Sequence, residues 1–170
     1  MTEILLVRHG ETDWNRERRV QGHADRPLNE AGLEQARELA ELLAGEKFGA
    51  VFSSDLARAS ETAAIVAHTH GLEVVFDTDL REKHFGSWEG LTDLEIAERF
   101  PEAVPGGWGD GETSEAVAER AVAAIDRIRA LHPAGTVLVV SHGGTIRAIL
   151  SHLAVPHEAI GNCAVIRVSY

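Results

Sequence analysis

Cysteine occurs once in the 170 residues, at Cys163. One thiol excludes an intrachain disulfide framework and a thiolate metal cluster, and it fits a reducing compartment, so the cytoplasm is the expected location. Lysine is almost missing as well, with Lys47 and Lys83 the only two among sixteen basic residues. The positive charge is therefore arginine, which suits bidentate recognition of phosphate or carboxylate, although a codon bias gives the same count. Positive charge of any kind is short: 16 Lys+Arg face 27 Asp+Glu, a formal net charge of −11. That balance argues against nucleic acid or an anionic membrane as partner and requires any anion site to be local. No apolar run approaches the length of a membrane span, and Met1-Thr2-Glu3 passes straight into an apolar stretch, so no secretion leader is expected. Internal repeats and low-complexity segments are absent too. The length suits one domain with one substantial core, spanning residues 1–170, as a monomer or homodimer.

Nine histidines are present, yet His68 and His70 match no H-E-x-x-H spacing. A metal-independent protein without a cofactor is expected. No G-x-G-x-x-G or Walker-type loop follows a strand, which weakens a nucleotide-binding reading.

The chain is organised around Ile4 to Asn15. Four apolar, β-prone residues run directly into Arg8-His9-Gly10, so a buried strand stops at a cation, an imidazole and a conformationally permissive residue. The junction recurs where Thr136 to Val140 runs into Ser141-His142-Gly143-Gly144. Between them, Glu11 to Pro27 reads as a long polar loop, with Arg16, Arg18, Arg19 and Arg26 clustered around Gln21-Gly22-His23. Asn29 caps a helix with Leu33, Ala36, Leu39, Ala40 and Leu43 on its apolar face. Gly49 to Ser53 is a short buried strand, and Ser54-Asp55 begins a helix with Arg58 on its first turn. That helix N-terminus offers an anion site, strengthened by Arg58; the alternative is an Arg58 ion pair with Glu61 or Asp55.

Leu72 to Phe76 is the next strand, leading to Glu82 and a glycine turn at Gly86. Thr92 and Glu95 form a capping box on a short helix ending before Pro101. The segment 101–113 reads as a loop within a possible cover over the site, and Trp88 and Trp108 either stack on substrate or pack. Thr113 or Ser114 caps a long helix whose core face is Val117, Ala121, Val122, Ile125, Ile128 and Leu131. The Thr136 strand, a helix from about Thr145 to Leu153 and a final strand, Ala164 to Val168, complete a three-layer α/β/α sandwich with a mainly parallel sheet.

Ligands bind beyond the carboxyl ends of strands in such sheets, which brings Arg8, His9, Arg58 and His142 to one crevice. Cationic groups around a neutral imidazole suggest phosphoryl transfer to His9, with Arg8, Arg58 and protonated His142 neutralising the phosphoryl oxygens. A carboxylic acid must protonate the leaving oxygen. Glu82 either overhangs the pocket for that purpose or is an exposed acid paired with Arg81 or Lys83.

Four segments, Leu6 to Thr12, Ser53 to Arg58, Glu82 to Gly90 and Val140 to Gly144, resemble the four motifs of the histidine phosphatase superfamily, which includes the cofactor-dependent phosphoglycerate mutases. The match runs in order through nearly the whole chain. It implies a phosphoglycerate mutase-like fold, His9 as phosphorylated nucleophile, Arg8, Arg58 and His142 as phosphate ligands, and Glu82 as proton donor. Asn15, Gln21, Gly22 and Gly143 are implied nearby contributors to substrate binding. The expected activity is hydrolysis of a small phosphorylated metabolite. A mutase of this family is expected to carry a basic insertion after the Glu82 motif and a C-terminal tail, yet Leu91 to Thr113 holds Arg99 as its only base against six acids, and the sequence stops at an expected strand. The alternatives are a mutase, with Arg16, Arg18 and Arg19 holding a carboxylate, and a phosphate-binding regulatory module without catalysis.

Overall fold

Ile4, Leu5, Leu6 and Val7 are all fully buried, a pattern that only a strand covered on both faces accommodates. In the computed structural model, which describes residues 1–103 and 109–169, these four side chains divide between two separate cores. Ile4 and Leu6 join Val137, Val139, Ile125 and Ile146 on one face of the sheet. Leu5 and Val7 join Leu138, Val140, Val66 and Leu39 on the other. Strand alternation thus feeds two cores from one apolar run, giving the expected α/β/α sandwich.

The strands are β1 (Thr2–Arg8), β2 (Phe48–Ser53), β3 (Val74–Phe76), β4 (Gly135–Ser141) and β5 (Val165–Ser169), in the order β3-β2-β4-β1-β5. All neighbours are parallel except β5, which runs antiparallel against β1 at the edge. Helices α2 (Glu30–Leu42) and α3 (Ala57–Thr69) cover one face, and α5 (Ser114–Leu131) and α6 (Gly143–His152) the other. Two short helices, α1 (Asp13–Arg16) and α4 (Asp93–Arg99), lie in the connections. Among the described residues no helix is long and apolar enough to cross a membrane.

The caps follow the expected chemistry. Asn29 accepts the Gly32 N–H, Thr113 accepts the Ala116 N–H, and Thr92 with Glu95 makes a reciprocal capping box. Each satisfies an N–H that the helix cannot, a contribution of about 1 kcal/mol.

Four expectations are corrected. The Glu11–Pro27 segment is not all loop: Thr12 and Asn15 form a second capping box that folds residues 13–16 into α1. Helix α3 begins at Ala57 rather than Ser54, because Leu56 keeps extended backbone and Ser54 N–H bonds instead to the Val140 carbonyl. Helix α6 starts at Gly143, two residues earlier than expected, and ends at His152. On α5, Leu131 is 69% exposed and Ala124 takes the core position. Of the two readings of Trp88, packing holds: it is buried against Leu91 and Ile96 in a satellite cluster. Trp108 lies outside the described residues, as does part of the suggested cover.

Candidate active site

Strand register brings the two histidines together. Arg8 pairs with Ser141 at the last step of the β1–β4 ladder, so His9 and His142 each lie one residue beyond the same sheet edge. The His9 N–H closes the ladder on the Ser141 carbonyl at 3.1 Å. The ring centroids are 5.1 Å apart and tilted by 58°. Both rings are essentially inaccessible, at 2% and 0% exposure.

His9 Nδ1 lies 2.7 Å from the Gly10 carbonyl. A carbonyl only accepts, so Nδ1 carries the proton and Nε2 keeps its lone pair. Burial, with Arg58 and Arg8 nearby, holds the ring pKa well below its usual value. His9 is thus a neutral imidazole with a fixed tautomer. The turn after it is braced by Thr62, whose hydroxyl accepts the Gly10 N–H at 3.0 Å and donates to the Arg58 carbonyl at 2.8 Å.

Arg58 is 1% exposed. It forms neither of the ion pairs considered for it: Asp55 binds Arg81 in bidentate fashion, and Glu61 accepts the Leu28 N–H. Its Nη atoms instead donate to the carbonyls of Gly22 at 2.7 Å and Ala24 at 2.9 Å. Burial pulls its pKa down to about 10, against the raising fields of Glu82, Asp25 and Glu89. The guanidinium stays charged at neutral pH and ties the 22–24 loop to the site. The α3 N-terminus, expected to receive an anion, already holds one: Asp25 accepts the Ala57 N–H at 2.7 Å. Arg8 donates Nη1 to the Ile160 carbonyl at 2.6 Å, and burial lowers its pKa despite Glu82.

His142 Nε2 lies 2.8 Å from the Ser54 hydroxyl. Burial first, then Arg58 and His9, depress its pKa well below the usual value. That depression favours the neutral form of the ring.

Arg8 Nε, Arg58 Nε and His142 Nδ1 are each buried without a hydrogen-bond partner. Unpaired buried polar atoms are costly and rare, and these three, two from strand ends and one from the first turn of α3, lie around one imidazole. Such a cradle fits the oxygens of a tetrahedral anion.

Glu82 stands at the mouth. Its Oε1 accepts the Lys83 N–H at 2.9 Å and its Oε2 the Gly144 N–H at 3.1 Å. The alternative partner Arg81 is spent on Asp55. Asn15 Oδ1 accepts the Thr12 N–H, and buried Gln21 accepts the Thr12 hydroxyl at 2.8 Å, so both amides brace the turn after His9. Gly22 has φ of +55°, the left-handed region that favours glycine, and its carbonyl faces Arg58. Gly143 is buried beside Arg8 at the start of α6.

Several participants gave no sequence signal. Arg120, on α5, donates to the Asp79, Arg81 and Glu82 carbonyls and pairs with Glu112, fastening the Glu82 segment. Asn162 donates to the His9 carbonyl at 3.0 Å. Ser54 was visible in its motif but had no role until its contact with His142. Among the described residues, no cluster of three or more acidic, histidine or cysteine side chains could hold a metal.

Two of the three loop arginines considered for a mutase carboxylate are paired within the chain. Arg16 binds Asp13, and Arg19 binds Glu17, Glu95 and the Gly90 carbonyl. Arg18 remains exposed.

Residues 4–170 match the family model described as the histidine phosphatase superfamily (branch 1). The chain is 45% identical over 163 residues to a metal-independent phosphoserine phosphatase of Arabidopsis thaliana, covering 88% of this chain and 67% of that one. It is equally identical over 161 residues to phosphoglycerate mutase-like protein 4 of the same plant, covering 86% and 69%. The structure superposes on mycobacterial glucosyl-3-phosphoglycerate phosphatase complexed with VO3, with a TM-score of 0.90, 33% identity, and coverage of 98% and 90%.

Proposed function

The chain belongs to the histidine phosphatase superfamily, and on that basis we propose that it hydrolyses phosphomonoesters of small metabolites through a phosphohistidine at His9. The observation carrying this reading is the set of three unpartnered buried nitrogens, Arg8 Nε, Arg58 Nε and His142 Nδ1, around a neutral imidazole. Similarity to a phosphoserine phosphatase and a glucosyl-3-phosphoglycerate phosphatase supports hydrolysis. Metal-independence agrees with a nucleophile that needs no metal-bound water.

The phosphoryl group enters as a dianion, and its negative field raises the proton affinity of His142, which becomes a donor alongside Arg8 and Arg58. His9 Nε2 attacks phosphorus, the N–P bond forms, and the ester P–O bond breaks. Glu82 gives its proton to the departing alkoxide. The alcohol leaves, and the Glu82 carboxylate then takes a proton from water as that water attacks phosphorus. The N–P bond breaks, inorganic phosphate forms, and His9 returns neutral with Glu82 protonated. The Gly10 carbonyl holds the Nδ1 proton throughout, which balances the positive charge growing on the ring.

We assign this chemistry to one domain spanning residues 1–170, acting in the cytoplasm in keeping with its single thiol. The test is a phosphomonoester panel that includes 3-phosphoglycerate, assayed for both free phosphate and 2-phosphoglycerate. Phosphate release with an acid-labile, alkali-stable phosphoryl label on the protein is expected. Isomerisation without phosphate release would replace hydrolysis with mutase activity. Binding without turnover would leave only a phosphate-binding module.

A further inference from the structure

Ser54 is the first residue beyond β2, and its N–H bonds to the Val140 carbonyl at 3.0 Å, which seats it beside the strand end that leads to His142. The residue is fully buried. Its hydroxyl has two contacts among the described residues: Oγ accepts the Leu56 N–H at 3.3 Å and lies 2.8 Å from His142 Nε2. A backbone N–H only donates, so the Leu56 contact uses a lone pair and leaves the hydroxyl proton for the imidazole. The neighbouring hydroxyls of Ser53 and Ser141 are spent elsewhere, on the Ser54 and Leu80 carbonyls.

These two contacts decide which nitrogen of His142 holds the ring proton. Burial first, then Arg58, His9, Arg120 and Arg8, favour the neutral form, which has a single proton to place. On Nε2 that proton would point at a hydroxyl whose own hydrogen then has no acceptor, a buried unpaired donor. It would also turn a bare Nδ1 lone pair toward an incoming anion. With the proton on Nδ1, Nε2 accepts from Ser54 and both of these costs vanish. Only the Nδ1–H is left without a partner, and Nδ1 is the nitrogen that lies buried and unpaired in the cradle.

We propose that Ser54 is a positioning residue that holds His142 as the Nδ1–H tautomer, so that the phosphoryl group meets a third hydrogen-bond donor without a third positive charge in the buried site. Arg8 and Arg58 already supply two cations there, and a further buried cation is repelled by both. Both site imidazoles then carry their proton on Nδ1. The Gly10 carbonyl takes that of His9 and leaves Nε2 as the nucleophile, whereas Ser54 occupies Nε2 of His142 and leaves Nδ1 as the donor. A second proton drawn onto Nε2 by the phosphoryl dianion turns the hydroxyl round to accept it, and the Nδ1 proton stays in place. The inference rests on the phosphatase reading of the site.

Nitrogen NMR of the protein carrying ring-labelled histidine reads the tautomer directly, with the His142 signals assigned by their loss in His142→Ala. In the unmodified protein at neutral pH, Nδ1 should be protonated and Nε2 bare, and Nδ1 should remain protonated when inorganic phosphate is bound. Ser54→Ala should lose that preference, with Nε2–H appearing. It should also weaken phosphate binding by about tenfold, the size of impairing one hydrogen bond to a charged group. In a His142→Ala background the same substitution should cost phosphate affinity little more, because the hydroxyl acts through the ring. An Nε2–H tautomer or an imidazolium in the unmodified, phosphate-free protein overturns the inference, and so does an equal loss of phosphate affinity in both backgrounds. Each of those results leaves hydrolysis of p-nitrophenyl phosphate through His9 standing. Failure of the unmodified protein to hydrolyse any phosphomonoester removes the phosphatase reading instead, while the tautomer and the phosphate affinities still judge Ser54.

Discussion

Arg120 Nη2 donates to the Glu82 carbonyl at 3.0 Å, so a residue on α5 holds the backbone of the proposed proton donor from behind. The same guanidinium reaches the Asp79 and Arg81 carbonyls and both oxygens of Glu112. Five contacts from one side chain fix where the Glu82 segment crosses the sheet edge.

Arg120→Gln should therefore cost stability and position at once. Arg120 and Glu112 side chains are 17% and 18% exposed, so their pairing is screened less than a surface ion pair. A loss of about 2 kcal/mol is expected from the stranded carboxylate and carbonyls, read by urea unfolding. Hydrolysis of alkyl phosphates should fall more than that of p-nitrophenyl phosphate, because misplacing Glu82 matters most for poor leaving groups. Equal losses on both substrates would reduce Arg120 to a structural brace.

Glu82→Gln separates the acid from the carboxyl's other contacts. The amide oxygen can still accept one backbone N–H, but no proton is available to the leaving alkoxide. Alkyl phosphate turnover should drop by about 10²–10⁴. The drop for p-nitrophenyl phosphate should be much smaller, since that leaving group needs little protonation. Matching drops would count against proton donation.

His9→Ala should abolish turnover and the phosphoryl label, by about 10⁴ or more in kcat, since the remaining cradle supplies no nucleophile. Buried Arg8 and Arg58 keep their electrostatic sites, so vanadate or phosphate binding should persist. Activity retained within tenfold would remove His9 from the nucleophile role.

The pH dependence of stability follows from the two site histidines. Their pKa values are depressed by burial and by Arg58, whereas in the unfolded chain they return to about 6.5. Below that pH the unfolded state binds protons that the native state refuses, so stability is full above about pH 6.5 and declines as pH falls. His23 contributes in the same direction. Carboxylates with lowered values, such as Asp55 and Glu112, act only nearer pH 4, leaving pH 6.5 to 5 to the histidines. Urea unfolding across that window should show a decline that is shallower in His142→Gln. A flat profile in the native sequence would contradict the neutral rings.

Much of this site could be read before the fold was known, for a physical reason. Arg8, His9 and His142 sit at strand ends, and a parallel sheet sends all its strand ends to one edge. Register then does the rest: Arg8 opposite Ser141 makes His9 and His142 neighbours without any long-range specificity in the loops. Arg120 was not legible because it lies on a helix face, where an arginine reads as a solvated residue whatever it touches. Asn162 was hidden in an irregular turn. The neutral state of His142 depends on its surroundings, with burial and Arg58 setting it, and no local pattern encodes either. The α3 N-terminus was legible as an anion site, and the anion it holds is Asp25 of the chain itself.

Arg58→Lys is the substitution that best separates charge from geometry. Arg58 holds the 22–24 loop through two carbonyls and presents a third, unpartnered nitrogen to the cradle. A lysine keeps a positive charge but concentrates its donors on one nitrogen, so it cannot span the Gly22 and Ala24 carbonyls and the phosphoryl oxygen together. Burial also penalises its ammonium more, because that ion is compact and strongly hydrated. The loop should loosen, increasing amide exchange over residues 22–24, and kcat should fall by roughly 10²–10³, the size of losing one preorganised donor. Gly22→Ala supplies the complementary case, for it leaves Arg58 in place but strains a φ of +55° and drives a methyl into the Glu89 carboxylate that accepts the His23 and Phe85 N–H groups. It should cost more than the ~1 kcal/mol of the backbone strain alone and lower kcat less than Arg58→Lys does. If the two variants lost kcat equally while only the loop opened, Arg58 would act solely as a loop anchor and its place among the phosphate donors would fall.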